Sequence, residues 1–253
     1  MYLADIVGIL SKYGIVDWLV SIIVLVAALI IRFIPFNSDF TPMISSDISN
    51  QLSTSTLSYA QTYIITFGIG LAIVACIWLI AFYDVNVFKV TASYVFGISA
   101  SMLACAAVAK IIRRPRPDTI ALCGGDGSFL ACSAYLSKSQ LTYQFSSFPS
   151  SESAEAMASA IFLCLYLGLF MGYANNFSTL LMLLPLVFGI FVSAACIWDR
   201  RNHIDDAIAG MVIGLIFGYI SFQPVKKVVK QKKFERRPQA LTETSSLPMP
   251  KYN

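Results

Sequence analysis

Residues 179–222 read TLLMLLPLVFGIFVSAACIWDRRNHIDDAIAGMVIGLIFGYISF: a largely apolar block of 20, a polar break of eight, then an apolar block of 16. A helix of about 20 residues rises roughly 30 Å, the thickness of a bilayer's hydrocarbon core. The two blocks therefore read as consecutive membrane spans joined by a short polar turn. Four more blocks lie upstream, at 18–34, 63–83, 90–112 and 154–173. The 253-residue chain is 57% hydrophobic and only 13% charged, against about 25% charged in a soluble domain. The expected fold is all-α, a polytopic membrane protein built as a six-transmembrane-helix bundle over residues 1–224. Residues 225–253 read as a basic cytoplasmic tail, disordered beyond Arg237. Residues 1–10 lack a basic start and a small-residue cleavage site, so the first span is expected to be retained.

Aromatic residues mark the block ends, as an interfacial belt would place them: Trp18, Tyr63, Tyr83, Tyr173 and Trp198. Small residues recur every fourth position at Gly210, Gly214 and Gly218, and again at Gly97, Ser101, Cys105 and Ala109. Such stripes let helix backbones approach closely in lipid. Cys76, Cys105, Cys164 and Cys196 fall inside apolar blocks and read as packing residues. Cys123 and Cys132 share one polar loop and would pair as a disulfide if that loop faces an oxidising compartment.

The net charge of +4 does not point to nucleic acid, because seven basic residues cluster directly after the last span. Lys226, Lys227, Lys230, Lys232, Lys233, Arg236 and Arg237 fit a juxtamembrane anchor for anionic lipid. With that tail inside, both termini are cytosolic. The loops after the third and fifth spans then face the lumen or the cell exterior. Arg113, Arg114, Arg116, Lys138, Arg200 and Arg201 lie on that outer side, against the usual bias. Outer arginines at membrane ends suggest that something anionic sits there.

Three polar segments share this side. One is Lys110-Ile-Ile-Arg-Arg-Pro-Arg116-Pro117-Asp118, followed by Cys123-Gly-Gly-Asp126-Gly127. The second is Phe148-Pro149-Ser150-Ser151-Glu152, and the third is Ala195-Cys196-Ile-Trp-Asp-Arg-Arg-Asn202-His203-Ile-Asp-Asp206. Their order and spacing, over about half the chain (residues 90–219), resembles the type 2 phosphatidic acid phosphatase family, the lipid phosphate phosphatases. That family carries KXXXXXXRP, PSGH and SRXXXXXHXXXD on three such segments. The resemblance implies a metal-independent and cofactor-independent phosphoryl transfer. A third-motif histidine attacks phosphorus, an aspartate orients it, and the second-motif histidine protonates the leaving alkoxide.

Carried over by position, Lys110, Arg116, Ser150 and Ser151 are candidate phosphate-binding residues, and Asp206 keeps the orienting role. The remaining positions depart from the pattern. Asn202 stands for the nucleophile, Glu152 for the general acid and Cys196 for an arginine. Lys110 lies one residue too close to Arg116, which turns it by about 100° on a helix. An amide cannot carry a phosphoryl group as imidazole can. Rescue would fall to His203, the single histidine, to Arg113, Arg114, Arg200 or Arg201 as replacement cations, and to Glu152 as proton donor.

Plainer roles compete at several positions. Ser150, Ser151, Glu152, Asp205 and Asp206 suit any helix start. Arg113 and Arg114 would serve as interfacial anchors. Lys110 and Arg32 are expected to snorkel to the interface. Three functions stay open: an impaired relative that binds a phosphorylated lipid such as phosphatidate, an active phosphatase with a rearranged site, or a structural or transport protein that kept only the fold. Partners beyond the bilayer, a second copy or another protein, stay open too. Single cysteines at Ser128 and Ser246 in a cysteine-free background should label from opposite sides of sealed vesicles. Labelling from one side overturns the six-span topology.

Overall fold

A computed structural model describes residues 14–35, 48–54, 56–81, 85–172 and 175–245. All regular structure among them is helical, and six helices are long and apolar enough to cross a bilayer. These are α1 (Ile15–Phe33), α2 (Gln61–Ala81), α3 (Val87–Ile112), α7 (Ser151–Met171), α8 (Asn176–Trp198) and α9 (Ile204–Ser245). Three short helices, α4 (Thr119–Cys123), α5 (Phe129–Ser133) and α6 (Lys138–Gln144), fold the loop between α3 and α7. The protein is an integral membrane helix bundle.

The helices start two or three residues ahead of the apolar blocks. Three of these starts are capped by side chains: Asn86 accepts from Phe88 N, Ser150 from Ser153 N and Asn175 from Ser178 N. A cap sets where a helix begins, and block hydropathy does not register it. At the other end, α9 does not stop at Phe222. Val225 and Val229 are buried with Phe222 in the main core, so packing crosses the expected boundary at residue 224. The described helix runs to Ser245. Tyr83, Tyr173, Lys12 and Ser246 lie outside the described residues.

Helices α3, α7 and α9 pack mutually at the centre, with α1 against α3 and α8 against α7. About half of the α3 and α7 spans is buried (56% each) but only 11% of α1, which faces lipid along most of its length. The α9 stripe meets α7 directly. A Cβ on Gly210 or Gly214 would stand 2.3 Å from the carbonyl oxygen of Ser150 or Ala154, and one on Gly218 2.5 Å from that of Ala158. Gly97 of α3 is similarly pressed by Ser221 of α9. Cys105 and Cys196 are buried as expected of packing residues, while Cys76 faces outward. Trp198 is exposed at its span end, but Tyr63 points inward to polar partners instead of joining a belt.

The α4–α6 loop is a small folded cap. Cys123 and Cys132 form a disulfide, beside a cluster of Phe129, Leu141 and Phe145. The main chain of Asn50 donates to the Pro117 carbonyl (3.0 Å), tying the first long loop to this cap.

The stripe yields a stability test with an internal control. Gly214→Ala should cost about 1–3 kcal/mol, since its Cβ meets backbone. Gly68→Ala, with nothing within 4 Å, should be neutral or slightly stabilising because alanine favours helix. Equal thermal unfolding of both variants in detergent would contradict the α7–α9 contact.

Candidate functional site

The three polar segments are laced together by main chain before any side chain acts. Helix α3 ends where Arg113 enters the left-handed region (φ 52°), and its N–H closes on Ala109 O. Pro115 then disfavours a helical conformation at Arg114, and Pro117 and Asp118 turn the chain into α4, with Thr119 N closing on Arg116 O (3.2 Å). Arg116 N donates to Gln144 O and Ser147 N to Arg114 O, both at 3.0 Å, pairing the first segment with the second. Ser150 N donates to Asp206 O, also at 3.0 Å, pairing the second with the third. The glycine contact of α9 on α7 makes that last approach geometrically available.

A cavity of about 70 Å³ opens beside this junction, and its lining includes Arg32, Lys110, Arg116, Ser151 and Glu152. Arg116 is 3% exposed. Its guanidinium lies 3.8 Å over the Tyr143 ring, donating from Nε to Tyr143 O (3.1 Å) and from Nη1 to Arg201 O (2.6 Å). Ring and carbonyls fix the plane of the group, which suits it to recognising an oxyanion in one orientation. Lys110 reaches the same cavity despite its register, and its Nζ donates to the Ile34 carbonyl at the end of α1.

Glu152 is buried, and its Oε1 lies 3.5 Å from Arg201 Nη1. Arg201 also meets Asp199 Oδ2 (3.3 Å) and the Leu57 carbonyl (2.8 Å), while Asp199 accepts from Thr56 N and Oγ1. Of the four arginines weighed as replacement cations, Arg201 is thus set against the Glu152 carboxylate. Arg114 is set against Asp206 Oδ1 (2.7 Å) and Asp205. Burial works against the Arg114 charge, but these two carboxylates raise its pKa above the usual arginine value.

On the other side of α7's first turn, Ser150 Oγ donates to Asn202 Oδ1 (3.3 Å), and Asn202 Nδ2 donates to Ser147 O (2.7 Å). Ser150 Oγ therefore both caps α7 and joins it to the third segment. Cys196 is fully buried among Ala156 and Val192 and brings no charge to the cup. His203 Nδ1 sits 2.9 Å from Asp206 Oδ2, which also accepts from His203 N and Ser147 Oγ. The opposite ring nitrogen, His203 Nε2, is buried without a hydrogen-bond partner. Among the described residues, no group of three or more His, Cys, Asp or Glu is arranged to hold a metal ion.

Sequence reasoning missed one element of the site and misplaced another. Glu155, one turn beyond Glu152, is buried inside α7. Arg32 does not snorkel: its Nη1 donates to Tyr63 Oη (2.9 Å) and lies 3.4 Å from Glu155 Oε1. Tyr63 Oη also donates to Glu155 Oε1 (3.4 Å). A carboxylate within an apolar span is costly enough to demand a partner, and that cost was the signal available in the sequence.

The profile of the PAP2 superfamily matches residues 90–230. The chain is 26% identical to phospholipid phosphatase 2 of Homo sapiens over 175 residues, 62% of this chain and 61% of that protein. It is 27% identical to phospholipid phosphatase 1 of Mus musculus over 180 residues, 65% of this chain and 64% of that protein. The chain thus spans less than two thirds of the relatives it matches. No solved structure matches it significantly. The match covers more than half of the chain and all three polar segments, the first two of which line the cavity. This membrane protein therefore belongs to the PAP2 superfamily, as a relative of the type 2 phosphatidic acid phosphatases.

Proposed function

We propose that this protein recognises a phosphorylated lipid headgroup at the outer end of its bundle, and does not hydrolyse it by the histidine route that the family resemblance implies. One observation carries the binding half of this reading. Three cations, Arg32, Lys110 and Arg116, line the cavity against one carboxylate, Glu152, a surplus of two positive charges. A phosphomonoester carries about −1.5 to −2 at pH 7 and fits that surplus. The Cys123–Cys132 disulfide beside the site agrees with a lumenal or extracellular face and cytosolic termini. The catalytic half rests on Asn202, whose amide is committed to Ser147 O and Ser150 Oγ and offers no nucleophilic nitrogen.

A second reading has its own support. His203 is oriented by Asp206 through Nδ1, as a nucleophilic or basic histidine would be, with Nε2 unpartnered. An active phosphatase with a rearranged site would use that nitrogen. Phosphate release from phosphatidate by the purified chain, in detergent without magnesium, separates the two. Little or no release is expected. Robust release that survives Asn202→Ala but disappears in His203→Ala would establish the rearranged site instead.

Binding is tested separately. Charge-assisted contacts contribute about 1.5–3 kcal/mol each, so Arg116→Ala should weaken phosphatidate binding by roughly tenfold or more. Glu152→Gln should strengthen it, by removing the one negative group in the lining. Equal affinity of the parent and both variants at fixed salt, measured in one detergent, would retire headgroup binding.

A further inference from the structure

We infer that Arg32, from the last turn of α1, is a direct ligand of the bound phosphomonoester, with Glu155 and Tyr63 as the groups that position it. This rests on the headgroup-binding reading and adds a residue that the three polar segments do not contain. The last turn of a lipid-facing helix lets arginine extend its charge into water at small cost. Arg32 instead turns inward. Its side chain is 19% exposed, and its guanidinium reaches across to α2 and α7. From there it lines the same cavity as Arg116 and Lys110.

Neutralising Glu155 explains why Arg32 points inward, but not why it borders a cavity with two further cations. Like charges gathered around one small space repel, and the repulsion is larger where water is partly excluded. An anion between them reverses the sign of that interaction. The plane of the Arg32 guanidinium is set by Tyr63 Oη and Glu155 Oε1, as that of Arg116 is set by Tyr143 and Arg201. Two guanidinium groups thus border one cavity, Arg32 from α1 and Arg116 from the segment between α3 and α4. The position that the family pattern gives to a second arginine, Cys196, is buried in apolar surroundings. In this chain Arg32 supplies that second charge from α1.

The test separates a ligand from a structural lock by a double-mutant cycle on the full chain in detergent. Binding of phosphatidate is read against phosphatidylglycerol, which reports general attraction of anionic lipid to the basic tail. Inorganic phosphate as competitor distinguishes a site for the free ion from one that needs the lipid. Arg32→Gln should lower phosphatidate affinity about tenfold or more, with phosphatidylglycerol unchanged, and should lower Tm by leaving Glu155 unpaired. Glu155→Gln should retain or tighten binding. The double variant should regain Tm but not affinity. Regained affinity in the double variant, or unchanged affinity in Arg32→Gln, overturns the assignment while leaving headgroup binding intact. A parent chain that binds phosphatidate no better than phosphatidylglycerol overturns both.

Discussion

The contact on which the site depends is the backbone approach of α9 to α7. In lipid no hydrophobic force drives two helices together, since acyl chains are as apolar as leucine, so close van der Waals packing must hold them. Gly210, Gly214 and Gly218 present bare backbone to the carbonyls of Ser150, Ala154 and Ala158. Side chains of ordinary size would separate the helices by several ångströms. At the present distance Ser150 N reaches Asp206 O, and the polar ends of both helices share one cup. Asn202 to Ser147, Ser150 to Asn202 and Ser147 to Asp206 all follow from that proximity.

A second constraint acts on the charges. Glu152 is buried in the first turn of α7, and a buried carboxylate without a partner would be strongly destabilising. Arg201 stands opposite it, anchored in turn by Asp199 and the Leu57 carbonyl. Removing one partner alone would leave the other uncompensated, which makes these positions a coupled unit in the sense of a double-mutant cycle. Cys196, by contrast, packs in an apolar cluster with Ala156 and Val192.

The cap over α4–α6 adds rigidity where precise placement matters. Its disulfide and its apolar cluster fix Tyr143 and Gln144, whose carbonyls hold Arg116. An arginine on an unstructured loop would lose much of its binding contribution to ordering entropy. Here that ordering is already supplied by the fold.

What the sequence by itself determined was everything that depends on local composition. Six apolar blocks required six spans, because the bilayer admits little else of that length. The glycine stripe of α9 marked a touching face, and the order of three polar segments pointed to one end of the bundle as the candidate site. Helix starts came out two or three residues late, since a side-chain cap sets the first turn and block hydropathy does not register it. Only the tertiary structure decided the partners of the charges: Arg201 for Glu152, Arg114 for Asp206, and Arg32 with Tyr63 for Glu155. Those pairings join residues up to 123 positions apart. They depend on how helices rotate against one another, a property of packing that no single stretch of sequence encodes.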